Sequence, residues 1–353
     1  MAKYIVQLRD EGQLQNCSEL LQDQQKHFQE LTSLGALTVN ADNRQEIYHL
    51  LRSSSQIQRI TEDIEVKLIE DETIETQLRP SLPWGIKHIG ASFSYIPQRY
   101  SRPKVGILDT GLSLHPRFNV RGQYVNFTDE RSPIDSNGHG THIAGTIGGF
   151  SRQRSQSFHG VYPQLALYSI KAFNKDGSAS LSSILSGIDW AIRQNIRILN
   201  MSFGLDDHIP ALHDAVRRAA ANDIVMVAAS GNKGTPTVSF PAQYPEVIAV
   251  GSINRDAEVS SFSQYGNSLD LLAPGEEIVS TWIQKSYRSI SGTSMACGHV
   301  SGAAAIVLAL KPEFTAQEVK DILFEQAQEL STPSYLRQGN GVISVRHIVS
   351  ALR

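Results

Sequence analysis

Ser294 occupies a setting in which a hydroxyl group could act as a nucleophile. It lies in the run Ser291-Gly292-Thr293-Ser294-Met295-Ala296, ahead of the apolar stretch 303–310, whose alanine content and length favour a buried helix. The backbone N–H groups at a helix N-terminus are unpaired and favour negative charge, so an alkoxide or an oxyanion would be stabilised there. Helix capping by Thr293 or Ser294 is the simpler explanation of this run taken alone, because serine and threonine are preferred caps.

Two side chains that could assist such a nucleophile lie at the ends of other predicted elements. Asp109 directly follows the apolar run Val105-Gly106-Ile107-Leu108, at the carboxyl end of a predicted strand, although an acid before a glycine can also serve only to form a turn. His139 opens a predicted helix between two glycines, which leaves its ring accessible. His142 has metal-like spacing from His139, but no cysteine or acid cluster completes a site, so a packed, hydrogen-bonded histidine is the preferred interpretation.

Asn232 supplies a further polar group. It lies in Ala228-Ala229-Ser230-Gly231-Asn232-Lys233-Gly234, just after another predicted strand, and it could either form the turn or donate its amide to an oxyanion. A serine at a helix N-terminus, an accessible histidine, an aspartate and an asparagine amide are the groups that acyl transfer requires.

The elements that would hold these groups alternate between strands and helices from about residue 84 onward. This alternation predicts the α/β class, with a parallel sheet covered by helices on both faces and with its chemistry at the carboxyl ends of the strands. The predicted strands are short and apolar, as strands buried on both faces should be: 104–108, 165–171, 196–200, 224–229 and 247–250. The predicted helices are 139–148, 181–194, 211–221, 294–310 and 315–328.

In residues 1–78 the predicted strands and helices follow a different order, which suggests a small α+β module of the βαββαβ, ferredoxin-like kind. The run 70–80 is polar, lacks a core pattern and ends in proline, so we expect an extended linker there. The sequence thus predicts two domains, 1–78 and 79–353. In the first domain the predicted strands are 3–8, 36–39 and 64–69, and the predicted helices are 18–34 and 43–51.

Composition and charge exclude several classes of protein. The 353 residues have a net charge of −3, so nothing indicates a nucleic-acid partner. No apolar run is expected to span a membrane, and the N-terminus has no signal-peptide pattern, so either the protein stays inside the cell or a leader is missing from this chain. The two cysteines, Cys17 and Cys297, fall in different predicted domains, which argues against a disulfide framework. Residues 1–78 carry 7 basic and 14 acidic residues, and the remainder carries 25 and 21, so the two parts could attract each other.

Three sequence blocks resemble the signature motifs of the subtilisin-like serine proteases, the subtilases. They are Asp109-Thr110-Gly111, His139-Gly140-Thr141-His142-Ile143-Ala144-Gly145 and Gly292-Thr293-Ser294-Met295-Ala296, and they occur in the order that this family shows. The similarity extends from about Trp84 to Val345, and residues 1–78 resemble the family's inhibitory propeptide. Helix capping by Ser294 then becomes a secondary role.

This resemblance implies a serine endopeptidase that needs no cofactor. Ser294 would be the nucleophile, His139 the general base and then the general acid, and Asp109 the group that orients the imidazole. The Asn232 amide and the backbone N–H of Ser294 would hold the oxyanion. Two alternatives remain open: a dedicated processing protease, such as a leader peptidase, and a catalytically silent binding protein with the same fold.

The resemblance also implies how a polypeptide substrate would bind. It would lie as an added strand between 178–180 and 202–204, an arrangement that tolerates many side chains. Ser239 stands where many relatives have glycine, which would make the S1 pocket shallower, and Lys233 stands where relatives often have an acid, which would disfavour lysine or arginine at P1. The implied substrate-binding residues are Ser178, Ala179, Ser180, Leu181, Ile184, Ser202, Phe203, Gly204, Ala229, Gly231, Lys233 and Ser239.

Self-cleavage of the chain is a further expectation from the resemblance. Matching Leu82-Pro83-Trp84-Gly85 to the mature N-termini of the family places the cut after Leu78, before Arg79, or after Gln77. The front piece would remain bound as an inhibitor, and the mature enzyme is expected to be a monomer.

The chain departs from the family at its metal sites. Arg117 stands where many subtilisins have an acid, and two arginines occupy the loop 150–157, whereas calcium needs several oxygen ligands with carboxylates among them. We therefore expect the tight calcium site to be absent. A weaker site for calcium or a monovalent cation remains open at the carbonyl groups of Ala242, Tyr244 and Val247.

A second departure from the family is the pair Cys297-Gly298, where relatives usually have a proline before the histidine. Gly298 should loosen the first turn of its helix. Cys297 is expected to be a small buried apolar residue, because Ser294 holds the reactive position.

Overall fold

A computed structural model describes residues 2–51, 56–69, 72–74, 82–91, 102–118, 123–150, 158–163, 165–331 and 334–353. The N-terminal part forms a small module with its own apolar core. Its strands form an antiparallel sheet in which the first strand lies between the third and the fourth, as the βαββαβ pattern predicts. The elements are β1 (Ala2–Leu8), α1 (Leu14–Asp23), β2 (Phe28–Leu31), β3 (Ala36–Ala41), α2 (Arg44–Leu50) and β4 (Ile57–Glu62).

Two predicted elements of this module are wrong. The helix predicted over 18–34 ends at Asp23, since Gln25 takes a left-handed backbone conformation with φ 54°, and the chain continues as β2. The closing strand is β4 rather than 64–69. Residues 65–67 instead form β5 (Glu65–Lys67), which pairs outside the module, and a short strand β6 (Glu72–Ile74) follows it.

The remaining described elements build the larger part of the molecule. In chain order they are α3 (Trp84–His88), β7 (Lys104–Asp109), β8 (Tyr124–Asn126), α4 (His139–Gly148), β9 (Ala166–Lys171), β10 (Ser178–Ser180), α5 (Leu181–Arg193), β11 (Ile198–Met201), α6 (Pro210–Ala221), β12 (Val225–Ala229), β13 (Val247–Ile253), β14 (Leu271–Pro274), β15 (Ile278–Thr281), β16 (Tyr287–Ser291), α7 (Thr293–Leu310), α8 (Ala316–Glu325), α9 (Tyr335–Gln338) and α10 (Val345–Leu352).

A seven-stranded parallel sheet lies at the centre, in the order β14-β13-β12-β11-β7-β9-β8. Helices α4, α7, α8 and α10 contribute to the apolar core on one face, and α5 and α6 to the core on the other. The predicted fold class is therefore confirmed. The predicted strands and helices of this part are found within a few residues of their expected ends, whereas β8 and β14 to β16 were not predicted.

Helix α7 is the buried axis of the molecule. It has 18 residues, and by length and composition it is long and apolar enough to span a membrane, so the sequence-based expectation that no run is long enough is wrong. However, 94% of this helix is buried inside the protein, where it packs against β11, β12, β13 and β14 as well as against α4. It therefore serves as a core helix, and its N-terminus lies at the carboxyl edge of the sheet.

Buried histidines accompany this helix. Nδ1 of His299 donates to the carbonyl oxygen of Met295 at 2.9 Å, and burial lowers the pKa of His299 to about 4. Burial also lowers the pKa of His142 to about 3 and that of His115 to about 4. Because a free histidine titrates near 6.5, the unfolded chain binds more protons than the folded chain below that pH, and acid must destabilise the fold.

We predict that the free energy of unfolding falls as the pH drops from about 6.5 to about 4, by up to about 1.4 kcal/mol per pH unit for each of these histidines. The measurement is urea unfolding at several pH values on the Ser294→Ala chain, which cannot digest itself. His299→Gln should flatten this dependence, and exposed His347→Gln should not. If the free energy of unfolding depended equally on pH in the two variants, buried His299 would not be a cause of the acid destabilisation.

Candidate active site

Asp109 and His139 form a buried pair at the carboxyl edge of the sheet. Asp109 is the last residue of β7, and His139 is the first residue of α4. Nδ1 of His139 lies 2.8 Å from Oδ1 and 2.9 Å from Oδ2 of Asp109. The backbone N–H of Thr110 donates to Asp109 Oδ1 at 2.7 Å, which fixes the carboxylate. An ionised Asp109 therefore holds the proton of His139 on Nδ1 and leaves Nε2 for proton transfer.

Asp135 positions His139, and sequence reasoning missed it. Its Oδ1 accepts from the backbone N–H groups of Asn137 and Gly138, each at 2.9 Å, and its Oδ2 accepts from that of Thr141 at 3.0 Å. These bonds satisfy unpaired donors at the start of α4, as a helix cap does. The sequence did contain a sign of this cap, namely an aspartate four residues before the start of a predicted helix.

Ser294 is the second residue of α7, and its side chain is fully buried. Within the described ranges its Oγ has no hydrogen-bond partner. A buried hydroxyl without a partner is costly to the fold, so such a group is expected at a functional position. Helices α4 and α7 pack against each other, which places His139 and Ser294 in the first turns of two adjoining helices.

The Asn232 amide is oriented by α7. Its Oδ1 accepts from the backbone N–H of Thr293 at 2.9 Å and from Thr293 Oγ1 at 2.8 Å. Thr293 Oγ1 also accepts from the backbone N–H of Gly231 at 3.2 Å. The carbonyl end of the amide thus faces Thr293, and the NH₂ end is the one that can serve an oxyanion. Sequence reasoning treated Thr293 only as a possible cap and missed this role.

A buried cation supports the strand that carries Asp109. Lys171 lies opposite Asp109 in the pairing of β9 with β7, and its side chain is fully buried. Its Nζ donates to the carbonyl oxygen of Thr110 at 2.7 Å and lies 3.1 Å from Glu130 Oε2. A buried ammonium requires such partners. Sequence analysis placed Lys171 at a strand end but assigned it no role.

Cys297 and Gly298 lie inside α7, which continues through them without a break, so the loosened turn expected there is not observed. Burial is the main reason that the pKa of Cys297 is raised to about 12, and its Sγ donates to Asn200 Oδ1 at 3.2 Å. Its thiol is therefore unreactive at neutral pH. A Cβ on residue 298 would lie 3.3 Å from Thr146 Cγ2, so glycine suits the close contact of α7 with α4.

His142 is a packed histidine, as preferred from the sequence. Its ring is buried, and Nε2 donates to the carbonyl oxygens of Ile278 at 2.9 Å and of Arg288 at 3.2 Å. Among the residues that the structure describes, no group of three histidine, cysteine or acidic side chains could hold a metal ion.

The implied substrate-binding residues include two stretches that flank one segment of the chain. β10 and Phe203 lie on its two sides, and both pair with residues of the chain's own segment 65–68. Leu181 and Ile184 are buried on the β10 side, and Ser202 and Ala229 are buried near β11 and β12. The Cys297 thiol and the Ser202 hydroxyl both bond to Asn200, which ties this wall to α7.

The predicted S1 region contains a residue that sequence analysis missed. Gln264 is buried, donates to Ser239 Oγ at 3.2 Å and lies under Gly231, where a Cβ would meet its Oε1 at 2.0 Å. Lys233 lies at the rim and is exposed, and its Nζ contacts Asp206 Oδ1 at 2.6 Å. The lysine charge at the rim is therefore shared with an acid, which weakens the expected discrimination against basic P1 residues.

The side chain at the family's tight calcium position does not fit a cation. The Arg117 guanidinium donates from Nε to the hydroxyl of Tyr287 at 2.6 Å, and Phe150 donates its N–H to the Arg117 carbonyl. A guanidinium offers donors only, so this position lacks the carboxylate that calcium needs. Residues 151–157 of the loop lie outside the described residues.

At the weaker site an ammonium group already contacts the carbonyls. Lys320 Nζ donates to the carbonyl oxygens of Pro245 at 2.9 Å and of Val247 at 3.3 Å, and it lies 3.9 Å from Asp270 Oδ2. The carbonyl of Tyr244 accepts from the N–H of Val247 at 3.0 Å. Of the three carbonyls predicted for this site, that of Val247 is contacted by Lys320, so a metal ion at this oxygen would have to displace the lysine.

Lys320→Met should make the protein dependent on an added cation. The variant leaves acceptors without a donor, which costs about 1–3 kcal/mol, and potassium or calcium should restore part of the loss. The measurement is the thermal midpoint of the Ser294→Ala chain with and without each ion, with exposed Lys87→Met as the control. An equal response of the unsubstituted chain would contradict this account.

A strand-end carboxylate paired with an imidazole, and a buried serine on a helix packed against that of the imidazole, are the arrangement of a serine hydrolase. Comparison with known proteins gives the family. The model of the subtilase family matches residues 101–341, and the chain belongs to this family. The chain is thus a subtilisin-type serine protease, and its activity is that of a serine endopeptidase.

Several relatives align with this chain over most of their length. It is 36% identical over 298 residues to a thermostable alkaline protease of Halalkalibacterium halodurans, and the aligned region covers 84% of this chain and 81% of the relative. It is 39% identical over 298 residues to subtilisin E of Bacillus subtilis, and the aligned region covers 82% of this chain and 77% of the relative. It is 38% identical over 270 residues to subtilisin Savinase of Lederbergia lenta, and the aligned region covers 75% of this chain and 97% of the relative.

Removal of the Asp109 charge tests the geometry of the pair. Asp109→Asn should lower kcat by about 10⁴-fold, because the amide no longer holds the required imidazole tautomer. Peptide hydrolysis at several pH values is the measurement, with exposed Asp256→Asn as the matched control. A loss below about tenfold would mean that Asp109 does not orient the base.

Proposed function

We propose that this protein is a self-processing endopeptidase that hydrolyses polypeptides through an acyl-enzyme on Ser294. The observation that carries the proposal is the Asp109–His139 pair, with Nδ1 2.8 Å from the carboxylate, beside a buried serine hydroxyl that has no partner among the described residues. These are the groups that serine peptidases use, and the chain belongs to a family of serine proteases.

The first half of the reaction forms the acyl-enzyme. Nε2 of His139 removes the proton of Ser294 as its oxygen attacks the scissile carbonyl carbon, and Asp109 stabilises the imidazolium that results. The Asn232 NH₂ group and the Ser294 N–H stabilise the negative oxygen at the N-terminus of α7. Loss of one such donor, an effect established on subtilisin itself, costs about 3–4 kcal/mol of transition-state stabilisation. His139 then protonates the leaving amine.

The second half consumes water. His139 takes a proton from a water molecule, which attacks the acyl carbon, and the same two donors hold the oxyanion. Collapse of this intermediate releases the new carboxylate and returns the proton to Ser294. The protein thus needs only its own side chains and backbone for each proton transfer.

Polypeptide substrates are proposed to bind by adding a strand between β10 and Ser202-Phe203-Gly204. The antiparallel pairing of β5 with β10 and of Leu68 with Phe203 supports this mode of binding. Because main-chain bonds supply most of the recognition, the enzyme should tolerate varied side chains outside a few pockets.

The N-terminal module is proposed to inhibit the enzyme to which it is attached. Asp63 accepts from the Ser182 N–H at 2.8 Å and from its hydroxyl at 2.6 Å, in the first turn of α5, where a negative charge is favourable. Arg59 pairs with Asp214 on α6 at 2.7 Å. These contacts place the module over α5 and α6 and direct its following residues into the groove.

Covalent labelling tests this proposal. A fluorophosphonate probe should label the chain at Ser294, and Ser294→Ala should abolish labelling and lower peptide hydrolysis by at least about 10⁵-fold, as loss of the nucleophile does in subtilisin itself. Exposed Ser331→Ala is the matched control and should behave like the unsubstituted chain. A folded wild-type chain that neither reacts with the probe nor hydrolyses peptides would refute the proposal.

A further inference from the structure

The chain's own segment after the N-terminal module crosses the candidate active site. β5 pairs with β10 in the antiparallel register Glu65 to Ser180, Val66 to Ala179 and Lys67 to Ser178. The next residue, Leu68, donates its N–H to the carbonyl oxygen of Gly177 at 2.9 Å and pairs with Phe203 on the opposite side. Residues 65–68 therefore occupy the groove in which a substrate strand is proposed to lie.

Two side chains of this segment contact residues that the family resemblance assigned to substrate binding. Val66 is buried in one apolar cluster with Leu181 and Ile184. Ile69 lies over Gly204, where an added Cβ would be 3.1 Å from Ile69 Cγ1 and 3.1 Å from Ser239 Cβ. The side chain of Ile69 thus lies at the S1 region, three residues after the one that lies beside Leu181 and Ile184.

Beyond Ile69 the chain continues on the leaving-group side. β6 pairs with β16 in the antiparallel register Glu72 to Ser291, Thr73 to Ile290 and Ile74 to Ser289. Ser291 precedes Ser294 by three residues. The nucleophile therefore lies between the strand pairing that ends at Leu68 and the pairing that begins at Glu72.

We propose that the peptide bond between Ile69 and Glu70 is the bond that the enzyme cleaves in its own chain. This bond is nine residues before the cut after Leu78 that the family resemblance implied. Gln77, Leu78 and Arg79 lie outside the described residues. The proposal rests on the proposed function, since it names a bond for the same nucleophile.

The reaction balances with the groups already named. Ser294 Oγ forms a bond to the Ile69 carbonyl carbon, the carbon–nitrogen bond to residue 70 breaks, and the Ser294 proton passes through His139 to the new amine. Water then releases the Ile69 carboxylate and restores the serine hydroxyl. The product chain 70–353 keeps the acidic residues 70–72 at its new N-terminus.

The same geometry indicates the substrate class for cleavage in trans. Ser239 and Gln264 close the S1 region, so a medium-sized aliphatic residue such as isoleucine fits there better than a long basic or large aromatic one. Peptides with valine at P4 and isoleucine or leucine at P1 are the expected substrates.

Intact mass of the purified full-length chain tests the proposal. Wild type should give fragments 1–69 and 70–353. Ile69→Asp should slow the cut at least about 100-fold, because it replaces the partly buried apolar side chain at this position with a charge. Leu78→Asp is the matched control and should be cut like wild type, as should Ile69→Leu. The thermal midpoint of Ile69→Asp in the Ser294→Ala chain shows whether that variant still folds.

The outcomes separate this inference from the proposed function. A wild-type boundary at 77–79, or slowing by Leu78→Asp but not by Ile69→Asp, overturns the inference and leaves a labelled, active peptidase. A chain that reacts with the fluorophosphonate probe but stays intact also overturns it. A chain that is neither cut nor labelled refutes the proposed function, and the inference falls with it. If Ile69→Asp does not fold, the fragment masses of the wild-type chain still identify the bond that is cut.

Discussion

The site depends on where the N-terminus of α7 lies. This helix is apolar along its length and almost wholly buried, so the hydrophobic core holds it against the sheet. Its first turn carries Ser294 and orients the Asn232 amide through the backbone N–H and hydroxyl of Thr293. Burial of an apolar helix thus fixes Ser294 and orients the Asn232 amide in one step, and α4 brings His139 to the same edge.

The second constraint is the chain's own occupancy of the groove. The N-terminal module contacts α5 and α6, and the segment that leaves it pairs first with β10 and then, past the nucleophile, with β16. A protease that holds its own chain as an added strand on both sides of Ser294 is blocked toward other polypeptides until the cut chain leaves. The proposed inhibition and the proposed processing would then follow from one geometry.

Much of this could be predicted from the sequence, because the signals are local. Asp109 ends a predicted strand, Asn232 follows one, and His139 and Ser294 begin predicted helices. The helix predicted over 139–148 has the observed bounds. The helix predicted over 18–34 was wrong beyond Asp23, because residues 28–31 pair with β3 as a strand and their apolar spacing does not indicate this.

The rest of the site is set by contacts between residues far apart in the chain. Asp135, Lys171 and Gln264 gain their roles from partners that no local pattern identifies. Lys320 meets the carbonyls of Pro245 and Val247 from a separate helix. The place of Ile69 against Gly204 and Ser239 is likewise visible only in the folded molecule, whereas the sequence motif at 82–85 pointed to a later bond.

A crystal structure of the uncleaved Ser294→Ala chain would test the central claim most directly. The account predicts that the carbonyl carbon of Ile69 lies next to residue 294, with its oxygen accepting a hydrogen bond from the Asn232 NH₂ group at about 2.7–3.1 Å. A carbonyl of residues 77–79 in that position, or an Asn232 amide turned away from the chain in the groove, would contradict it.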